Sequence, residues 1–278
     1  MRIERTLLYT FTHFLARYRN VALMSDERIP NRSDLAVDFH LLGRLDFNSY
    51  LRLQRRLVYE AANSDQRRIT VLLCEHNELI TIGRGGSRAH VRRTNEELRR
   101  AQLEVQWVNR NGGCLLHGPG QLAVYPLVPL QNVEWTVSDF LHRFQTGLRG
   151  VLEDLRISTR IHENHAGVWG RTGLLAAICV SVQDGVTCFG SALNVNPPMS
   201  HYGYIDTTAA DRLPVNEPRT MSCLLAERRL PARMSTVRAS MVANLAESFS
   251  CSRHHIHSGH PWLRATIGTT RERFARTC

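Results

Sequence analysis

The sequence is most unusual in one stretch, Arg110-Asn111-Gly112-Gly113-Cys114-Leu115-Leu116-His117-Gly118-Pro119-Gly120-Gln121. Four glycines and one proline lie here between two predicted strands, residues 105–108 and 122–125. Glycine permits positive φ and lets the backbone approach a ligand closely. Free backbone N–H groups in such a loop can then bind an anion or a carbonyl oxygen of the ligand. A plain turn needs only one or two glycines, so we predict a binding loop. The glycine spacing and the missing Lys exclude a Walker A or dinucleotide loop.

The segments around this loop predict both strands and helices. The predicted strands are residues 35–39, 69–74, 105–108, 122–125, 174–182 and 186–195, and the predicted helices are residues 47–62, 96–103, 137–155, 221–227 and 234–249. Pro126 is expected to end the fourth strand, and Thr94 or Asn95 to cap the second helix. The turn Gln183-Asp184-Gly185 predicts a hairpin of the last two strands. Locally paired strands with several helices predict an α+β fold rather than a doubly wound parallel sheet.

Composition limits the class of protein. The chain has 278 residues, 43% hydrophobic and 22% charged, which fits a globular protein and argues against disordered, collagen-like and coiled-coil chains. It contains no apolar stretch of the length that a membrane span needs. The seven cysteines are an odd number without a Cys-x-x-Cys pair, which favours a reduced, cytoplasmic protein.

The basic residues are unusual because all 35 are Arg and none is Lys. The chain therefore has no side-chain amine for Schiff-base chemistry, for general-base catalysis or as an acceptor of acyl groups. A net charge of +10 favours an acidic partner. Aromatic residues do not interleave with the arginines, so we expect neither a nucleic-acid partner nor a membrane partner.

Both ends of the sequence differ from its centre. Residues 1–33 are predicted to be an N-terminal extension, either a weak transit peptide or the product of a start upstream of Met24. Residues 251–278 are predicted to be a His/Arg-rich tail at the surface. Cys251 and four histidines up to His260 could suggest zinc, but no second set of ligands matches them. We therefore expect no metal, and no cofactor.

Four blocks of the sequence resemble the lipoyl(octanoyl) transferase family. They are Leu72-Leu73-Cys74-Glu75-His76 with Ile80-Thr81-Ile82-Gly83-Arg84-Gly85-Gly86, the stretch from Arg110 to Pro126, Gly167-Val168-Trp169, and Gly185-Val186-Thr187 through Ala192-Leu193-Asn194-Val195-Asn196. The resemblance implies an α+β catalytic domain of the biotin/lipoate protein ligase type over residues 34–250, with a mixed sheet flanked by helices.

The resemblance also implies a reaction. The family takes octanoyl from octanoyl-acyl carrier protein and attaches it to a lysine of lipoyl domains, those of 2-oxoacid dehydrogenases and the glycine cleavage H protein. Family members use a Cys that becomes an acyl thioester and a Lys that lowers its pKa. In this sequence Leu174 stands at the position of the Lys, and Thr208 at that of the Cys. Phe189 replaces a family His, and Leu115 a family Thr.

By resemblance, three segments bind the octanoyl group. They comprise Arg110, Asn111, Gly112, Gly113, Cys114, Leu115, Leu116, His117, Ala177, Ile178, Cys179, Gly190, Ser191 and Ala192. The catalytic residue stays open: Cys179, Cys188 or Thr208 could be acylated, or the acceptor amine could attack the carrier thioester directly with His117 as its base. Two other functions also stay open, an inactive binding homologue and an ATP-dependent lipoate ligase. The ligase is the less favoured because that family meets phosphate charge with Lys.

Overall fold

A computed structural model describes residues 35–162, 165–206 and 221–263, so the predicted extension lies outside the described residues. The strands are β1 (Ala36–Arg44), β2 (Arg68–Glu75), β3 (Leu79–Ile82), β4 (Glu104–Trp107), β5 (Cys114–His117), β6 (Gln121–Leu127), β7 (Arg160–His162), β8 (His165–Trp169), β9 (Leu174–Gln183), β10 (Val186–Asn194) and β11 (Arg253–Ser258). The α-helices are α1 (Phe47–Ala62), α2 (Asn95–Arg100), α3 (Val137–Asp154), α4 (Leu224–Arg228) and α5 (Met234–Ser248). Within the described ranges, every helix is too short or too polar to cross a membrane.

The strands form two mixed sheets. In the described residues, one sheet has eight strands in the order β11-β1-β2-β6-β10-β9-β8-β7, and the other has three in the order β4-β3-β5. β1 runs parallel to β2 and β11, whereas β2, β6, β10, β9 and β8 pair antiparallel in turn. Helices flank these sheets, which confirms the predicted α+β class.

Capping residues fix where three of the helices begin. The Asp46 side chain accepts a hydrogen bond from the N–H of Ser49 at the start of α1. Thr94 and Thr136 start α2 and α3 with reciprocal capping boxes, in which an acidic side chain three residues later bonds back to the cap. Each cap satisfies N–H groups that lack a partner in the first turn.

The eight-stranded sheet separates two apolar layers. Side chains alternate along β6, so Leu122 and Val124 face the layer formed with α3 and α5, while Ala123 and Tyr125 face the layer formed with α1. The first layer is the larger of the two and includes buried phenylalanines of α3. The second layer is bordered by the glycine-rich stretch, so the site lies on the α1 side of the sheet.

The sequence predicted that Pro126 ends its strand, but Pro126 lies within β6. On one side Pro126 pairs with Val71 of β2. On the other side the ladder with β10 ends at Val124, so the N–H that proline lacks is not needed there. The Pro126 carbonyl accepts a hydrogen bond from the Thr187 hydroxyl at 2.7 Å instead.

The predicted C-terminal tail contributes a strand, so the sheet extends beyond residue 250. β11 pairs parallel with β1, with Val37 opposite His254 and Phe39 opposite Ile256. The side chains of β11 are exposed, so this segment is at the surface as expected. The sequence did not predict this strand, because pairing with a sheet edge uses backbone groups and requires no apolar pattern in the side chains.

Candidate functional site

The glycine-rich stretch is held by a second glycine loop. The N–H of Gly83 donates to the carbonyl of Gly113 at 3.1 Å, and the N–H of Gly85 donates to that of Gly112 at 3.0 Å. A Cβ on Gly83 would lie 2.5 Å from the Gly112 oxygen, so only glycine permits this approach. The predicted loop is therefore two short loops separated by β5, and the first of them is fixed against residues 83–85.

Arg110 is a buried cation bound only to neutral groups. It is 2% exposed, and Nη2 donates to the carbonyl and the hydroxyl of Thr81 at 2.9 and 2.7 Å. Nη1 donates to the Asn111 carbonyl at 3.0 Å. Within the described residues, its Nε is buried and has no hydrogen-bond partner. A guanidinium in this state provides a fixed positive charge and a donor nitrogen, Nε, that no described residue engages.

His117 is buried with both ring nitrogens in hydrogen bonds. Nδ1 lies 3.0 Å from Gln121 Oε1, and Nε2 lies 3.1 Å from the Thr81 hydroxyl. Burial, with smaller contributions from the neighbouring charges of His76 and Arg110, lowers the pKa of His117 well below its ordinary value. The imidazole is therefore neutral, and these bonds favour a role in positioning the loop over that of a general base.

A second buried histidine supports the aromatic side of the site. His76 Nδ1 donates to the Leu45 carbonyl at 2.8 Å, and Nε2 accepts from the Tyr125 hydroxyl at 2.9 Å. Burial lowers the pKa of His76 to about 4. Tyr50 stacks on Tyr125 with ring centroids 4.0 Å apart, and the Phe47 ring lies 5.4 Å from that of His117. These rings form a rigid, neutral wall.

A half-open pocket lies between this wall, the glycine-rich stretch and β9 and β10. Its lining residues are Phe47, Arg110, Leu115, His117, Tyr125, Cys179, Phe189, Gly190, Ser191 and Ala192. Seven of these belong to the predicted substrate-binding set. The sequence prediction of the binding set missed Phe47, Tyr125 and Phe189. The Tyr-Pro pair at the end of the family signature was a signal for Tyr125, whereas nothing local distinguished Phe47.

The other predicted binding residues lie around the pocket without lining it. Cys114 and Leu116 face the small core beneath the three-stranded sheet, and Ile178 faces the layer of α3 and α5. Ala177 packs in an apolar cluster that borders the pocket. Asn111, Gly112 and Gly113 contribute carbonyls that hold Arg110 and the second glycine loop.

The catalytic candidates are separated by the structure. Cys179 lines the pocket on the same face of β9 as Ala177, whereas Cys188 is buried in the layer of α1. Burial raises the pKa of the Cys188 thiol to about 11. Thr208 lies outside the described residues. Of the three proposed nucleophiles, Cys179 is therefore the one that the structure describes at the pocket.

The position of the family Lys is apolar. Leu174 is 5% exposed and packs with Leu115, Trp169 and Met221. Leu174 therefore fits its surroundings as a packing residue.

Known proteins resemble this chain in sequence and in fold. It matches the lipoyl protein ligase A/B catalytic domain over residues 46–246. The octanoyltransferase of Syntrophobacter fumaroxidans is 35% identical over 165 residues, which is 59% of this chain and 72% of that protein. The octanoyltransferase of Pelobacter propionicus is 31% identical over 198 residues, 70% of this chain and 90% of that protein.

Solved structures of lipoate protein ligases share the fold. Lipoate-protein ligase A bound with ATP has a TM-score of 0.58 at 12% identity, over 80% of this chain and 87% of that one. The bi-partite ligase of Thermoplasma acidophilum has a TM-score of 0.56 at 12% identity, over 80% and 86%. These similarities confirm the predicted ligase-type catalytic fold.

Proposed function

Because the chain belongs to the octanoyltransferase family, with the lipoyl protein ligase A/B catalytic domain, we propose that it moves octanoyl from octanoyl-acyl carrier protein to a lysine of lipoyl domains. The observation that carries this proposal is the pocket beside the glycine-rich stretch. Its apolar lining, such as Leu115 and Ala192, suits an alkyl chain, and the buried guanidinium of Arg110 suits a carbonyl oxygen that gains negative charge.

Close backbone packing requires glycine on the strand β10 that borders this pocket. A Cβ on Gly190 would lie 2.0 Å from the Val124 carbonyl oxygen, so β10 can approach β6 only with glycine there. Ala192 is the next residue along β10 on the pocket face. Its small side chain leaves room for a ligand on that face.

The charge of the chain suits the proposed donor and acceptor. Acyl carrier proteins and lipoyl domains are acidic as a class, and the net charge of +10 would steer them to this protein. The acceptors proposed are the lipoyl domains of 2-oxoacid dehydrogenases and the glycine cleavage H protein. The acceptor amine has to come from such a partner, because the sequence has no lysine.

One observation favours a second function, an inactive homologue that binds octanoyl carrier without turnover. Leu174 fills the position of the family Lys within an apolar cluster, and the sequence has Thr208 at the position of the family Cys. A protein that had lost the covalent route without replacement would retain the pocket and the charge. Binding without transfer would identify this case.

The test is an incubation of the full chain with octanoyl-acyl carrier protein and an apo lipoyl domain, followed by intact-protein mass spectrometry of all three. Octanoylated lipoyl domain would support the proposal, and a lipoyl domain with Arg in place of its acceptor lysine is the control. Carrier binding without any product would support the inactive homologue. Product formed only from octanoate with ATP would identify a ligase.

A further inference from the structure

We infer that Cys179 is the nucleophile of this protein, and that it carries the octanoyl group as a thioester between donor and acceptor. The inference rests on the proposed function and adds a residue that takes over the role of the Cys missing at position 208. The acylated atom would be Cys179 Sγ, in the pocket beside Arg110.

The position of Cys179 in the sheet supports this role. Gly190 lies directly opposite Cys179 in the β9–β10 ladder, and both residues line the pocket. Among the six cysteines that the structure describes, Cys179 alone lines the pocket, and it is partly exposed. An acyl thioester of the carrier could therefore reach Sγ without any rearrangement of the strands.

The loop geometry brings Cys179 close to the buried cation. A Cβ built on Gly112 would lie 3.0 Å from Cys179 Sγ and 3.6 Å from Arg110 Nη1. The sulfur and the guanidinium thus lie on two sides of one small space.

A second, independent observation points to a ligand at the same place. Arg110 is buried, and its Nε has no hydrogen-bond partner among the described residues although it can donate. An unmade hydrogen bond of a buried charged group is costly unless a ligand completes it. The carbonyl oxygen of an acyl group bound at Cys179 would be such an acceptor, and it gains negative charge during attack.

The sequence departs from the family in a way that fits a relocated thiol. By the resemblance, the family has Cys and Lys where this chain has Thr208 and Leu174. The pocket of this chain nevertheless contains a thiol, that of Cys179. Arg110 belongs to the family signature and is retained.

The two half-reactions balance without a cofactor. In the first, the Cys179 sulfur forms a bond to the octanoyl carbonyl carbon, the bond from that carbon to the carrier sulfur breaks, and the carrier leaves as a thiol with the proton that Cys179 gave up. In the second, the acceptor ε-amine forms the amide bond, the bond to Cys179 breaks, and an amine proton returns to Cys179.

The experiment measures acylation of the full chain by octanoyl-acyl carrier protein, without acceptor, by intact mass and peptide mapping. Because the sequence has no lysine, an adduct on this chain cannot be a lysine amide. We expect one octanoyl group on the peptide containing Cys179, released by neutral hydroxylamine as a thioester is. Addition of apo lipoyl domain should then remove it from Cys179 and place it on the acceptor.

Three variants complete the test. Cys179→Ala and the nearly isosteric Cys179→Ser should both lose the adduct and slow transfer to the lipoyl domain by roughly 100-fold or more. Cys188→Ala is the matched control, because Cys188 is on the neighbouring strand but away from the pocket, and it should stay within about twofold of the parent. Thermal unfolding of each variant distinguishes lost chemistry from lost folding.

The other results would overturn the inference. An adduct on Thr208 or another cysteine would assign the nucleophile elsewhere. Transfer that persists in both Cys179 variants would show direct attack by the acceptor and would leave the proposed function standing. If the parent protein produced neither an adduct nor octanoylated lipoyl domain, the proposed function itself would fail together with the inference.

Discussion

Replacing Gly112 by Ala is expected to damage the pocket more than the fold. Gly112 has φ of +80°, where a residue with a side chain costs about 1–2 kcal/mol. Its new methyl group would lie 3.0 Å from the Sγ of Cys179, which lines the pocket assigned to the acyl group. If the methyl displaces one ligand methylene from the pocket, the binding free energy weakens by about 0.8 kcal/mol, which lowers octanoyl affinity about fourfold. The three side-chain carbons of Gly112→Val would cost about 2.4 kcal/mol of binding free energy, which lowers octanoyl affinity about 60-fold.

Gly185→Ala separates the backbone cost from the pocket cost. Gly185 has φ of +76° in the β9–β10 turn, and a Cβ there would meet no atom within 4 Å. Both Ala variants should therefore lose similar stability, roughly 2–8 °C in Tm. The assay is the initial rate of lipoyl-domain octanoylation at increasing octanoyl-carrier concentration. Only Gly112→Ala should raise KM. Equal KM values in the two variants would refute the assignment of the acyl site.

Three further predictions concern stability. Leu174→Lys should lower the free energy of unfolding by about 2 kcal/mol or more in urea titration, because it buries an unpaired charge, whereas Leu174→Met should cost less than about 1.5 kcal/mol. The Glu227 carboxylate accepts hydrogen bonds from the backbone N–H groups of Arg171 and Thr172 at 2.7 and 2.8 Å. Glu227→Gln should therefore lower the free energy of unfolding by about 1–3 kcal/mol. Glu153→Gln, in an exposed ion pair, should lower it by about 0.5 kcal/mol or less. The His76 pKa is about 4 in the fold and 6.5 unfolded, so the unfolded chain binds the proton first. Stability should then fall by up to about 3 kcal/mol from pH 6.5 to 4. A flat urea profile over that range would contradict the buried neutral imidazole.

Local sequence signals predicted the elements whose ends are fixed locally. The helix predicted at residues 47–62 is α1 with the same ends, because Asp46 caps it and apolar residues repeat at helical spacing. The predicted hairpin is β9 and β10, since Asp184 and Gly185 supply the two positive φ values that its turn requires.

Elements that depend on distant partners were not predicted. β5 lies inside the glycine-rich stretch, and it is a strand because it pairs with β3, about thirty-five residues earlier in the chain. β11 similarly pairs with β1 across most of the sequence. Such pairing satisfies backbone groups and leaves no local pattern in the side chains. The site followed the same rule, because its glycines were visible in the sequence but the contact of Phe47 with His117 was not.

In the proposed chemistry the cation near the nucleophile is Arg110, whereas the family uses a Lys, and this difference has a chemical consequence. Lys can hold a positive charge and also give or accept a proton, whereas Arg keeps its proton at any useful pH and provides charge alone. Arg110 therefore cannot accept the proton that Cys179 must lose, and His117 has both ring nitrogens already in hydrogen bonds. That proton has to leave to solvent or to the departing carrier thiol. A pocket that is half open at Cys179 permits this exit, so the partial exposure of the thiol is a requirement of the proposed chemistry.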